Sequence, residues 1–305
     1  MKRSYLFALL FVFLCHSFLI IKAQQVPDTA FTFVNTHPAW HMGEGPHIFV
    51  DATHNNFHTK DGGFFAFSKL LEQDGYQVNS LNQTISSPGI LKDCKILVIA
   101  NPLDASNANS WVLPTPSAFT REEIGIIKAW VENGGSLLLI ADHMPFAGAA
   151  CELGNAFGFE FLNGFAFTRQ STWPPSVFTI RDGTLNDSPV TNNISNAEKI
   201  DSVATFTGSA FKAPVSAIPV LGFLEMHFSL QPDTAWSFND NTPRISLEGY
   251  YQGALLEYGK GKVAVFGEAA MFTAQLVNGN FKVGINSEQA PQNAQFVLNL
   301  IHWLD

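Results

Sequence analysis

The chain has little cysteine, little charge and no basic run. Its three cysteines are Cys15, Cys94 and Cys151. Cys15 lies in the apolar start of the chain. Cys94 opens the apolar stretch Cys94–Ala100, which reads as a strand, and Cys151 follows the end of a later strand. In a parallel sheet those places lie at opposite edges, farther apart than the roughly 7 Å between Cα atoms that a disulfide spans. Two free thiols are expected, one of them buried, even in an oxidising compartment. Charged residues make up 14% of the chain, with 17 Lys and Arg against 26 Asp and Glu. Such a chain is a poor nucleic-acid binder, because neutralising phosphates takes clustered cations. Also missing are a Gly-x-Ser-x-Gly turn, a P-loop and a dinucleotide fingerprint. Serine-triad hydrolysis, nucleotide hydrolysis and NAD chemistry thereby lose their ordinary sequence support.

What is present begins with Met1-Lys2-Arg3, an apolar run from Tyr5 to Ile21, and Ala23 before Gln24. A basic start, an apolar stretch and a small-residue exit predict a signal peptide over residues 1–23, cleaved after Ala23. Export to the periplasm or beyond is therefore expected. Leu14, not a small residue, precedes Cys15, so lipid attachment there is not expected. The run falls short of the about 20 residues that span a bilayer, and no stable membrane insertion is expected after cleavage. An uncleaved anchor is the alternative. Removing Lys2, Arg3 and Lys22 takes the net charge from −9 to −12. Residues 24–305 suffice for a single α/β domain with loop insertions.

Apolar runs and helical spacings alternate through the first half. Strands are predicted at Pro46–Ala52, Tyr76–Leu81, Cys94–Ala100 and Ser136–Ala141. Between them, Phe64–Leu71 has helical spacing and stops at Asp74-Gly75. Thr120 and Glu123 form a capping-box pattern that opens a helix ending at Asn133-Gly134-Gly135. A further helix is read from about Gly148 to Phe157. This order predicts right-handed crossovers and a mostly parallel sheet covered on both faces. Later strands are read at Val203–Phe206, Ala217–Leu221, Ile245–Leu247, Ala254–Tyr258 and Lys262–Phe266, with a hairpin turn at Gly259-Lys260-Gly261. A helix over Asn293–Trp303 ends the chain. Pro102–Ala118 and Asn163–Ser176, the latter with Trp173-Pro174-Pro175, read as long loops, either lids or packed surface insertions.

Three strand ends carry the chemistry-bearing residues. In a parallel α/β sheet the carboxyl ends share one edge, where ligands bind. Asp51, His54 and His58 follow the first strand. If the segment is helical, His54 and His58 face the same way. With Asp51 they could hold a divalent metal such as zinc or perform acid–base work. A purely structural role in the turn is the plain alternative. Asn55 and Asn56 add uncharged donors and acceptors for a polar substrate. Asp142-His143 ends a second strand; Asp142 could orient an imidazole, hold a metal or cap the next helix, and His143 could be a base. Gly267-Glu268 ends a third. Gly267 permits close backbone approach. Glu268 in an apolar setting would have a raised pKa, or else would simply favour a helix start. Gln275 follows about a turn later.

The Pro46–Asp51 strand, the run His54-Asn55-Asn56-Phe57-His58-Thr59, the stretch Trp130–His143 and Phe266–Phe272 resemble an uncharacterised bacterial family. That family belongs to the class I glutamine amidotransferase-like superfamily, near the domain shared by gliding-associated and intraflagellar transport proteins. The resemblance covers most of residues 24–305 and implies a flavodoxin-like three-layer α/β/α sandwich. In amidotransferases of this fold a nucleophilic cysteine sits at a strand-to-helix elbow. The matching elbow here is Ala141-Asp142-His143-Met144-Pro145, which has no cysteine, and Cys151 lies well into the next helix. Thiolate chemistry on glutamine is therefore not expected.

The expected function is an exported hydrolase-like or lyase-like enzyme acting on a small polar substrate, carbohydrate among the candidates. His54 or His143 would be the base, Asp51 or Asp142 its orienting partner, and Glu268 the acid. A metal held by His54, His58 and Asp51 is a variant of that site. A non-catalytic module binding a glycan or a peptide, or an envelope scaffold, is the alternative.

Overall fold

A computed structural model describes residues 25–168, 175–192, 195 and 197–305. The expected signal peptide and Trp173-Pro174 lie outside these residues. β1 (Gln25–Pro27) comes first. β2 (His47–Asp51), α1 (Phe65–Gln73), β3 (Gln77–Leu81), β4 (Ile96–Ala100), α2 (Arg121–Glu132), β5 (Ser136–Ile140) and α3 (Phe146–Asn155) then follow the predicted alternation. The chain next builds β6 (Glu160–Thr168), β7 (Ser176–Thr179), β8 (Ser202–Thr205), β9 (Gly208–Lys212), β10 (Ile218–Gly222) and β11 (His227–Leu230). It ends with β12 (Arg244–Ser246), β13 (Tyr251–Tyr258), β14 (Gly261–Phe266), β15 (Ala274–Val277), β16 (Phe281–Gly284) and α4 (Asn293–Leu304).

The main sheet has eleven strands in the order β12-β11-β6-β9-β13-β14-β5-β4-β2-β3, with β10 also paired to β13. Four of its joins are parallel, those among β3, β2, β4, β5 and β14. Six are antiparallel. This corrects the expected flavodoxin-like three-layer α/β/α sandwich with a mostly parallel sheet. The protein is mostly β, with a mixed sheet and only four α-helices among the described residues. The physical reason lies after α3. A parallel crossover needs a dozen or more residues, usually a helix. There the sequence shows no helical period until α4, so the chain extends the sheet by antiparallel pairing.

Local signals set the ends of the first helices. In α2 the Thr120 hydroxyl accepts from Glu123 N at 3.2 Å, and the Glu123 carboxylate accepts from Thr120 N at 2.9 Å. This is the predicted capping box, which satisfies orphan donors of the first turn. Past α1, Gly75 takes φ +94, and a Cβ there would run into the backbone of Trp40.

Alternation along the parallel strands sorts the core onto two faces. Ile48, Val50, Leu138, Ile140, Ala264 and Phe266 pack with α1 and α4. Leu97, Ile99, Leu137, Leu139, Val263 and Val265 pack with α2 and α3. Every residue of β4 and β5 is buried. Enclosing each such aliphatic side chain contributes about 1.5–3 kcal/mol, which makes this pair of strands a firm base for whatever their carboxyl ends carry. As expected, Cys94 and Cys151 are free thiols and Cys94 is buried.

Candidate functional site

The pairing register brings two of the expected residues together. β14 and β5 run parallel with Val265 opposite Leu139 and Phe266 opposite Ile140. Two residues further on, that register sets Glu268 beside Asp142. Both lie just past the strand ends, where the chain leaves the sheet. Glu268 accepts from Ala270 N and Met271 N, each at 2.7 Å. Asp142 accepts from His143 N at 2.7 Å, and its own N–H donates to the Asn101 side chain at 2.9 Å. Burial raises the pKa of Glu268 well above the usual carboxylate range, and the charge of Asp142 raises it further. Burial also raises Asp142, against the opposing pull of His143 and of N–H donors. Two enclosed carboxyls that repel one another disfavour double ionisation.

His143 stands next to this pair. Its Nδ1 lies 2.7 Å from the Met144 carbonyl oxygen. A carbonyl only accepts, so Nδ1 carries the hydrogen, and in the neutral ring Nε2 keeps its lone pair. Nε2 receives no hydrogen bond from the described residues and is not among the sealed, unpartnered polar atoms. Aromatic rings fix the imidazole. Phe165 stacks on it at 4.5 Å and 12°, Trp236 stands edge-on at 4.7 Å, and Phe146 and Trp111 lie at 5.7 and 6.1 Å.

Asp51 and His54 form a separate centre. Asp51 shares the parity of Phe49, which packs with the α2/α3 face. His54 Nδ1 lies 2.7 Å from Asp51 Oδ2, and its Nε2 lies 3.2 Å from Glu123 Oε1. Burial alone would lower the His54 pKa. The Asp51 hydrogen bond and the charges of Asp51 and Glu123 outweigh burial and raise it. Both ring nitrogens are thereby spent on carboxylates.

His58 does not join His54. The segment after β2 is a series of bends, with Asn55 at φ +45, so the expected helical turn is absent. His58 stacks on Phe64 at 5.4 Å and 13°. Its Nδ1 is buried and has no partner among the described residues, and a Cβ on Gly63 would overlap it. Burial lowers its pKa to about 4. Asp51, His54 and His58 therefore do not converge as a ligand set, and among the described residues no group of three or more His, Cys, Asp or Glu is placed to hold a metal.

The expected substrate-binding residues have structural duties. Asn55 donates to Leu103 O at 3.1 Å, and Asn56 to Ala100 O at 3.3 Å. Gly267 lies against β9, where a Cβ would meet Ser209 O at 2.6 Å. Gln275 sits in the small β1-β15-β16 sheet and donates to Thr273 Oγ1 at 2.7 Å. Sequence reasoning missed Glu123, Asn101 and the rings around His143. The capping box pointed to Glu123 only as a helix residue, and Asn101 carried the signal of any polar residue just past a strand end.

The carboxyl edge is nearly closed. Asp142 is 9% exposed, His143 8% and Glu268 0%. Two surface hollows, of about 520 and 420 Å³, are lined by Asp28, Phe31 and Lys282 and by Met42, Lys69 and Tyr76, and neither contains an expected catalytic residue. Backbone strain nevertheless gathers at the edge. Asn55, Asn101, Thr207 and Trp236 take φ of +45, +49, +92 and +66. For β-branched or bulky residues such values are true outliers, each costing about 1–3 kcal/mol, and such strain clusters at functional sites.

No family model matches the chain, and no curated protein matches its sequence. Among solved structures, the mmIFT52 N-terminal domain is similar with a TM-score of 0.57 and 15% identity, over 85% of this chain and 96% of that one. A protein described as ThuA-like from Bacteroides uniformis is similar at 0.46 and 12% identity, over 90% of this chain and 94% of that one. A β-galactosidase from Bacillus circulans matches at 0.39 and 9% identity, over 85% of this chain but 30% of its own. At these identities the likeness to the mmIFT52 domain is one of fold alone, and the weaker two carry no argument about activity.

Proposed function

We propose that the chain is a hydrolase-like or lyase-like acid–base enzyme acting on a small polar substrate at the carboxyl edge of its parallel strands. The observation that carries this reading is the β5/β14 register. It sets Asp142 beside Glu268, and His143, the next residue, donates its backbone N–H to Asp142 while its Nε2 takes no partner among the described residues. The carboxyl pair, holding a proton that water-exposed carboxylates would have released, supplies the acid. His143 Nε2 supplies the base, in a ring orientation fixed by Met144 and Phe165. An acid and a base held at one edge can together move protons to and from a bound substrate. Asp51, His54 and Glu123 tie the end of β2 to the start of α2 and take no part in the chemistry. Export belongs to the proposal through the composition of residues 1–23.

The test is a turnover screen of glycosides and esters, followed by His143→Asn, Asp142→Asn and Glu268→Gln. Each variant should lose at least about a hundredfold in kcat while keeping a cooperative thermal transition. Full activity in all three would refute the assignment. A second reading, a binding module without turnover, is favoured by the near-complete enclosure of the two carboxyls. It predicts saturable binding with no product from any substrate that binds.

A further inference from the structure

Beside His143 the surface carries a feature that acid–base chemistry leaves unused. Two loops, residues 102–118 and 231–243, clasp one another there. Leu113 N donates to Asp233 O and Ala235 N to Trp111 O, each at 2.9 Å, and Val112 faces Thr234 in an isolated antiparallel bridge. The clasp holds Trp111 and Trp236 against the imidazole. From Trp111 the ring surface continues to Phe57, 5.8 Å away, and from Trp236 to Phe238, 6.4 Å away. Phe57 is 50% exposed, Trp236 49% and Phe238 38%. These rings are open to solvent, and Trp236 holds its place with a strained backbone.

The composition of the two loops narrows the occupant. They contain Asp104, Asp233 and Asp240 and no Lys, Arg or His; most of their remaining polar residues are Asn, Ser and Thr. An anionic ligand would find no counter-charge within these two loops. A purely apolar ligand would leave the amides and hydroxyls without partners. An extended peptide would seek free backbone groups, and the clasp already uses those of Trp111, Leu113, Asp233 and Ala235. A neutral sugar suits both parts, with its C–H face on an aromatic ring and its hydroxyls on uncharged donors and acceptors.

We propose that Phe57, Trp111, Trp236 and Phe238 form a stacking platform for a neutral oligosaccharide whose chain runs past His143. The inference rests on the reading that His143 marks the working edge of the sheet. It names the substrate class of that site.

The experiment titrates the full chain with cellohexaose, mannohexaose, xylohexaose, chitohexaose and hexagalacturonate, by calorimetry and tryptophan emission. At least one neutral hexasaccharide should bind and shift the emission, with hexagalacturonate at least about tenfold weaker. Trp236→Ala and Phe57→Ala should each weaken binding at least about tenfold, with circular dichroism confirming the fold; Phe57 decides if the tryptophan variant does not fold. Silence across the neutral panel overturns the proposal. Equal binding of the uronate, or wild-type affinity in folded variants, overturns it too. Turnover of a non-sugar substrate with no hexasaccharide binding would remove the platform and leave the acid–base reading. Platform-dependent binding with no turnover would do the reverse.

Discussion

Replacing His58 with glutamine isolates an acid lability that burial builds into the carboxyl edge. His58 is enclosed against Phe64, and burial lowers its pKa from 6.5 to about 4. A depressed imidazole stays neutral in the folded chain while the unfolded chain takes up a proton. Its contribution to stability is therefore present above about pH 6.5 and is lost as pH falls towards about 4. The gap is about 2.5 pH units, and at about 1.36 kcal/mol per unit the full loss is roughly 3 kcal/mol. Asp142 and Glu268 act with the opposite sign. Their raised carboxyls bind protons in the folded chain before the unfolded chain does. They contribute stability at low pH that is lost as pH rises through their folded values. A wild-type profile alone mixes these effects, so the useful quantity is the difference between wild type and His58→Gln. Urea unfolding followed by tryptophan fluorescence measures it. Near pH 7.5 the variant should be weaker by about 1 kcal/mol, for the lost stacking on Phe64. Near pH 4.5 the order should reverse, with the variant stronger by about 1–2 kcal/mol. Parallel profiles for the two proteins would show that His58 titrates freely in the fold and would refute the reasoning.

Two further perturbations address the His54 centre. Thr120→Ala removes the hydroxyl that accepts from Glu123 N and should cost about 0.5–2 kcal/mol in urea unfolding; an unchanged midpoint would mean that α2 does not depend on its cap. His54→Gln tests the imidazole between Asp51 and Glu123. Because the His54 pKa is raised, its stabilisation should be complete below about pH 6.5 and fade as pH rises through the folded value. A difference between wild type and variant that stays constant from about pH 6 to pH 9 would contradict this.

The parallel half of the sheet was legible in the sequence because double coverage leaves continuous apolar strands. The stretches Cys94–Ala100 and Ser136–Ala141 read as strands, and the structure forms β4 over Ile96–Ala100 and β5 over Ser136–Ile140; the capping box and Gly75 marked helix ends. The antiparallel half was harder. β6 holds Asn163 and Gly164 in its middle, which read as a loop. In the fold the Asn163 side chain accepts from Gly148 N and donates to Thr115 Oγ1, each at 3.0 Å. β9 opens on Gly208, where a Cβ would overlap Gly267 O. These strands are set by partners distant in sequence, so their own residues do not announce them. Local chemistry favoured loops and tertiary pairing overrode it.

The carboxyl edge is divided between two centres. Asp51 is tied through His54 to Glu123 of α2, whereas Asp142 and Glu268 follow the adjacent parallel strands β5 and β14. Counting strand ends puts all three carboxylates on one edge; their hydrogen-bond partners separate them. What then distinguishes the two imidazoles is how many ring nitrogens remain free. His54 gives both to carboxylates, so its proton is held by the fold and its effect is to fasten β2 to α2. His143 gives one to a carbonyl, and its other takes no partner among the described residues. A proton can be exchanged with a third molecule only through a nitrogen that the protein has not already used, and on this edge that condition selects His143 over His54.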